Sequence, residues 1–372
     1  MMNFFIAGYR SHVRMARIQK QSIPQRKVYS FPSDALIITD NSMYFQSDSY
    51  ALDPEKNTKL FQLQSGDILL IAENGVASLI YSNFEQEATV FLTGHCNSNC
   101  LMCPMTETER TKQEDVAEEF LLQYLDLLPQ SVSHLVVTGG EPTLRKALFL
   151  KMLQRIAEKF SQAEVLLLTN GRSFSDSIFL QETLQVAPAN LCVAIPLHGP
   201  TAILHDSITR AQGSFAQTIR GIRNLLERNQ KVEIRIVVSR LNASAMKELV
   251  RMIGSQFPKV SIVNFIALET RGNCAAHFKK IYINPAASFQ SIRDSILALL
   301  LKGIPVSLYN FPLCAVEPGF WSLCKKSISP EKVCFPKECS ACIHKNSCGG
   351  FFQTTLQMGN FQVKPIQNRG NV

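Results

Sequence analysis

A chain of 372 residues that is 46% apolar and only 18% charged can bury a large core and build more than one domain, which excludes a solvated, disordered polymer. No apolar run approaches the roughly 18 to 20 residues of a membrane span, and Met1–Ala7 is too short for a secretory core, so no membrane association is expected. Eleven cysteines without an export signal fit metal ligation in a reducing cytoplasm better than a disulfide framework, while a net charge of +8 permits an acidic peptide or RNA as partner without identifying either.

Short β-like runs at 34–39, 66–72 and 75–81, the last following a Glu73-Asn74-Gly75 turn, predict a small β-rich module over residues 1–88. Arg10, Arg14, Arg17, Lys20, Arg26 and Lys27 all precede the first acid, Asp34, and read as a basic surface face.

From Thr89 onward strands and helices alternate as in a parallel α/β layer. Apolar strand candidates are 89–93, 134–138, 165–169, 191–196, 232–238 and 261–268. Between them helical stripes recur, for example Phe120, Leu121, Tyr124, Leu125 and Leu128, and then Phe215, Ile219, Ile222 and Leu226. Six such units predict a partial TIM-type (β/α)6 barrel over 89–305, an α/β fold whose ligand-binding residues gather at the carboxyl ends of the strands.

Directly after the first strand stands Cys96-x3-Cys100-x2-Cys103. Three thiols on one short loop can hold three corners of an iron-sulfur cube and leave the fourth iron open to a substrate; a zinc knuckle or buried free thiols is the plainer alternative. After the second strand comes Gly139-Gly140-Glu141-Pro142-Thr143, whose glycines allow close main-chain approach and whose amides and carbonyls can grip an amino-acid head group. Asn170 closes the third strand and reads as a turn residue or a hydrogen-bonding ligand contact. Arg235 interrupts an apolar strand, which is costly unless it pairs with a carboxylate or faces a polar cavity. His198 and His205-Asp206 follow the fourth strand, at the expected substrate mouth.

Residues 306–372 form a small Cys-rich module with a second constellation, Cys314 together with Cys339-x2-Cys342-x5-Cys348-Gly349-Gly350-Phe351. Four thiolates would close a site, as an iron-sulfur cluster or as a structural zinc ribbon. Cys324 and Cys334 could replace Cys314 as a ligand or serve as a redox-active pair, but read first as free thiols; Cys192 reads as a small packed hydrophobe, and Cys274 has no assigned duty.

The three-cysteine loop after the first barrel strand and the Gly-Gly-Glu-Pro turn after the second resemble the radical SAM superfamily. The resemblance implies a [4Fe-4S] cluster on Cys96, Cys100 and Cys103, with the amino and carboxylate groups of S-adenosylmethionine (SAM) on its open iron. Gly139, Gly140, Glu141 and Pro142 would seat the cosubstrate's amino group. One electron then splits the sulfonium to give a 5'-deoxyadenosyl radical, which abstracts hydrogen from the substrate. The ribose becomes a candidate partner for Asn170, and the methionyl carboxylate or Glu141 a candidate partner for Arg235.

A narrower likeness rests on Phe311-Pro312-Leu313-Cys314, Ser327-Ile328-Ser329, Glu338-Cys339 and the run from Cys348 to Phe352. In the barrel it rests on Ile195-Pro196-Leu197, His205-Asp206, Gly213-Ser214-Phe215 and Ala267-Leu268-Glu269. These words resemble the C-type radical SAM maturases of His-Xaa-Ser repeat peptide systems, although 104–109 and 330–334 depart from that group's wording. The likeness implies a ribosomally made precursor peptide as substrate and a twitch or SPASM-like auxiliary [4Fe-4S] cluster on Cys314, Cys339, Cys342 and Cys348. It also implies a flavodoxin or ferredoxin-like electron donor and a second radical SAM maturase as partner. Competing expectations are a radical SAM enzyme acting on tRNA, a nucleobase or a small metabolite, and a non-catalytic Cys-rich zinc or electron-transfer protein. Nucleic acid is the less expected partner.

Overall fold

Ala88 and Val90, Leu135 and Val137, Val165 and Leu167, and Val193 and Ile195 recur with period two and are all buried in one hydrophobic core. The residues between them therefore face the opposite side of a sheet. The computed structural model describes residues 3–5, 14–20, 35–38, 42–45, 48–51, 62–71, 76–112, 115–359 and 361–367. The Glu73–Gly75 turn, Arg10, Arg26 and Lys27, and the side chains of Arg14 and Lys20 lie outside the described residues.

The N-terminal part is a sheet of β1 (Asn3–Phe5), β2 (Arg14–Lys20), β3 (Ala35–Ile38), β4 (Ser42–Phe45), β5 (Asp48–Ala51), β6 (Ile68–Ile71) and β7 (Val76–Tyr81). Its strand order is β1-β7-β6-β2-β3-β4-β5, with β2 and β3 parallel and the other neighbours antiparallel. Met15, Ile68 and Tyr81 extend the core beneath the next sheet, and the Tyr124 hydroxyl donates to Ile80 O at 3.2 Å.

That next sheet holds β8 (Glu87–Phe91), β9 (His134–Thr138), β10 (Glu164–Leu168), β11 (Leu191–Pro196), β12 (Lys231–Val237), β13 (Ile262–Ile266), β14 (Val306–Tyr309) and β15 (Cys324–Lys325). All are parallel and lie side by side in chain order, so each returns by a crossover connection. The result is a curled half-barrel, the partial TIM-type architecture expected from the sequence, with two more strands than the six predicted. β14 and β15 carry the sheet past residue 305 into the segment the sequence groups with the Cys-rich module.

The helices between strands are α1 (Glu107–Lys112) and α2 (Glu118–Leu127), then α3 (Lys146–Lys159), α4 (Ser177–Val186), α5 (Ala202–Thr209), α6 (Ser214–Glu227) and α7 (Met246–Gln256). α8 (Asn273–Ala276), α9 (Phe278–Ile281) and α10 (Pro285–Leu300) follow β13. Beyond the barrel, β16 (Val333–Cys334) and β17 (Phe351–Phe352) make a small antiparallel pair before α11 (Gln353–Met358). No helix among the described residues is long and apolar enough to cross a membrane.

Candidate active site

The cysteine loop leaves the carboxyl end of β8 and would carry a row of unpaired main-chain groups, so its shape depends on who satisfies them. Asn99 N–H donates to Thr209 O at 2.9 Å and Leu101 N–H to Ile208 O at 3.0 Å, fastening the loop to α5. Arg110, buried in α1, donates to Ser98 O at 2.7 Å and to Asn99 Oδ1. From beyond β10, Arg172 donates to Asn97 O at 2.7 Å. From α8, Asn273 donates to Asn99 Oδ1 at 2.6 Å and Cys100 O at 3.2 Å, while Cys274 N–H reaches Cys103 O at 3.2 Å. Protein groups from four connections thus fix the loop's main chain, while main-chain groups of the loop itself, at Ser98 and Met105, hydrogen-bond to Cys96 and Cys103.

The Gly-Gly-Glu-Pro turn lies flush against the start of this loop. Gly140 N–H donates to Thr93 O and Glu141 N–H to His95 O, each at 2.8 Å. A Cβ at Gly139 would stand 2.5 Å from Thr93 O, and one at Gly140 2.3 Å from His95 O, so both glycines are set by contact with the loop backbone. These two amides are taken up by the loop's main chain rather than left for a head group. Glu141 is fully buried, and its carboxylate accepts from Thr143 N and Oγ1, Thr169 Oγ1 and Asn170 N at 2.6 to 3.1 Å. Burial raises its pKa against the pull of those four donors. It ties the ends of β9 and β10 together, and Pro142 opens the short buried turn that follows.

The three thiols sense one another. Burial pushes Cys96 up to about 11 and Cys100 up to about 12, and Cys100 is raised further by Cys96 and Cys103. Cys103 is raised by burial as well. Such thiols are protonated in the free protein, so cation binding must displace their protons. His95 is turned away, its Nδ1 3.1 Å from Arg110 O. Cys274 is fully buried in the small apolar cluster behind the loop, with Leu101, Met102 and Ile281.

Asn170 makes a turn through Oδ1, which accepts from Arg172 N at 3.0 Å, and its amide donates to Asn97 Oδ1 at 2.6 Å. Arg235 does not reach Glu141. Its Nε donates to Glu233 Oε1 at 2.5 Å and its guanidinium lies 5.6 Å from the Tyr309 ring centroid. Residues two apart on a strand share a face, and the burial of Val232, Ile234 and Ile236 in the helix-side core sends Glu233 and Arg235 into the barrel interior.

His198 and His205 are buried rather than exposed at a mouth, with His198 N–H donating to His205 Nδ1 at 3.2 Å. Asp206 caps α6, accepting from Gly213 N, Ser214 Oγ and Phe215 N at 2.7 to 2.8 Å. Burial pushes His198 down to about 3 and His205 down to about 4, so both are neutral when folded, whereas the unfolded chain takes up protons below about pH 6.5. Stability is therefore complete above that value and is lost as pH falls toward about 4. Thermal denaturation is expected to show a loss on the order of 3 kcal/mol from each histidine across this window, so about half the loss in a His205→Gln chain.

Cys314, Cys339, Cys342 and Cys348 line a single cavity with Phe335, Lys345 and Phe351. Cys348 Sγ accepts from Leu313 N and Gly350 N at 3.4 Å. Burial pushes Cys314 up to about 11 and raises Cys339, with neighbouring thiols adding to each. Cys324 lies on β15 and Cys334 on β16, neither on the cavity wall, and Cys192 faces the barrel interior from β11. Among the described residues, no group of three or more His, Cys, Asp or Glu side chains is placed to hold a single metal ion.

The anchors Arg110, Arg172 and Asn273 escape sequence reasoning. Each sits in a polar stretch where it resembles a solvated residue, and only the fold brings it to the loop.

The radical SAM superfamily model matches residues 90–253. The sporulation killing factor maturation protein SkfB of Bacillus subtilis (strain 168) is 25% identical over 162 residues, covering 44% of this chain and 38% of that protein. The antilisterial bacteriocin subtilosin biosynthesis protein AlbA of the same strain is 25% identical over 190 residues, covering 51% and 41%. The chain thus spans about two-fifths of the length of these curated relatives. The crystal structure of Streptococcus suis SuiB bound to S-adenosylmethionine superposes with a TM-score of 0.47 at 15% identity, over 62% of this chain and 51% of that one. The cysteine loop and the Gly-Gly-Glu-Pro turn both fall inside the span, residues 90–253, that matches the radical SAM superfamily model.

Proposed function

We propose that this chain is a radical SAM enzyme that modifies a ribosomally made precursor peptide by hydrogen abstraction. The observation that carries the proposal is the cysteine loop, immobilised through its main chain at the carboxyl ends of a parallel half-barrel, with Cys96, Cys100 and Cys103 close enough to raise one another's pKa. That donor set fits a [4Fe-4S] cluster on Cys96, Cys100 and Cys103. When bound, such a cluster supplies the electron that cleaves SAM reductively to a 5'-deoxyadenosyl radical. The chain's own residues position these partners. Glu141 locks the ends of β9 and β10, and the carbonyls of Gly139 and Gly140 can accept from the cosubstrate's amino group.

Cys314, Cys339, Cys342 and Cys348 share one cavity, which fits an auxiliary centre in a twitch or SPASM-like module. The peptide reading is supported by the maturation and bacteriocin-biosynthesis names of SkfB and AlbA. It brings with it a flavodoxin or ferredoxin-like electron donor and a second maturase.

Protein purified without air is expected to hold about eight irons per chain and to release 5'-deoxyadenosine on reduction with SAM. Coexpression with a precursor peptide that the enzyme modifies is expected to shift that peptide's mass. Two zincs with no SAM cleavage would overturn the enzyme reading; salt-sensitive RNA binding with no modified peptide would move the substrate to nucleic acid.

A further inference from the structure

A groove of about 610 Å³ opens at the carboxyl ends of β12 and β13, lined by Arg240, Phe278, Lys279, Tyr282, Ile283 and Met358 among others. It lies on the face that carries the cysteine loop. Its rear is continuous with that loop, because Ile281 and Ile283 pack in the same small cluster as Cys100, Leu101 and Met102.

The groove's chemistry is one-sided. Arg240 and Lys279 are both exposed, and no acid is among the lining residues. Arg240 N–H donates to Ile281 O at 2.9 Å and its Nη1 to Lys279 O at 3.0 Å, which fixes the guanidinium beside the lysine instead of leaving it to sweep through solvent. Asn284 and Ala287 bring the first turn of the 16-residue α10 to the same wall, adding its positive end. Phe278 stacks on the buried Tyr282 with ring centroids 4.4 Å apart and, with the exposed Met358, supplies an apolar surface between the charges. The Tyr282 hydroxyl is buried without a hydrogen-bond partner.

We propose that this groove docks an acidic segment of the peptide substrate that is interspersed with apolar residues. Its carboxylates meet Arg240 and Lys279, and an apolar side chain lies on Phe278 and Met358. The inference rests on the peptide reading above and narrows it to a substrate class.

The test uses the full chain, loaded with iron and sulfide without air, and three labelled probes: a short peptide alternating Glu and Leu, its Lys-Leu counterpart, and a single-stranded RNA of similar length. The Glu-Leu peptide is expected to bind and the Lys-Leu peptide to fail. Lys279→Glu is expected to weaken the Glu-Leu peptide about tenfold and to strengthen the Lys-Leu peptide, with SAM cleavage in the absence of peptide unchanged. An unchanged Glu-Leu affinity in that variant overturns the groove assignment, while continued modification of the coexpressed peptide by the wild type leaves the peptide reading standing. RNA that displaces the Glu-Leu probe, with no coexpressed peptide modified, overturns both.

Discussion

Cys100→Ala protein, purified without air, is expected to lose reductive cleavage of SAM down to background and to lose about half its iron, while its far-ultraviolet circular dichroism stays that of the wild type. The separation of effects follows from how the loop is held. Asn99 and Leu101, on either side of Cys100, are fastened to Thr209 O and Ile208 O through their main-chain amides. The Cys100 carbonyl accepts from Asn273 irrespective of the side chain. Removing the sulfur therefore deletes a ligand without releasing the loop, and a cube held by two thiolates lacks the anchorage that three provide. Residual cleavage at a substantial fraction of the wild-type rate would exclude Cys96, Cys100 and Cys103 as the ligand set.

Gly140→Ala is expected to disable the enzyme from the opposite side. The added methyl would lie 2.3 Å from His95 O and 2.4 Å from Gly94 O, and main-chain atoms cannot rotate aside as a side chain would. The cysteine loop must shift or the turn must lift off, breaking the Gly140 to Thr93 hydrogen bond. A displacement of about 1 Å at a reacting centre costs roughly 100-fold in rate, and that loss is expected in SAM cleavage. The accompanying stability loss is about 1 to 3 kcal/mol by thermal denaturation. Gly213→Ala is the matched control. Its φ is +77°, yet nothing lies within 4 Å of an added Cβ, so about 1 to 2 kcal/mol of backbone strain is expected with cleavage intact. Equal loss of activity in both variants would reduce the Gly140 effect to general destabilisation.

The barrel was legible because its signal is periodic. Period-two apolar runs built β8 to β13 where expected, and the stripe Phe215, Ile219, Ile222 and Leu226 packs α6 on the sheet. β14 and β15 were not, since four and two residues are too few for alternation to stand above chance. Local pairing was readable and missed: Glu233 lies two residues from Arg235 on the same strand face, a nearer carboxylate than Glu141. Long-range polar pairing was not readable at all. Nothing about Arg110 or Asn273 in the chain announces that their partners are Ser98, Asn99 and Cys100, up to 174 residues away. The words His205-Asp206 and Gly213-Ser214-Phe215 have a local cause, a carboxylate capping α6, and so carry fold information beside any family information.

The network around the cysteine loop also bears on biogenesis. In small zinc modules the ion itself orders the chain, so the apo form is unfolded. Here arginine and asparagine side chains and neighbouring main-chain groups already occupy the loop's polar atoms. The loop's fold is therefore expected not to depend on a metal, and protein prepared without iron should keep the far-ultraviolet circular dichroism of iron-loaded protein.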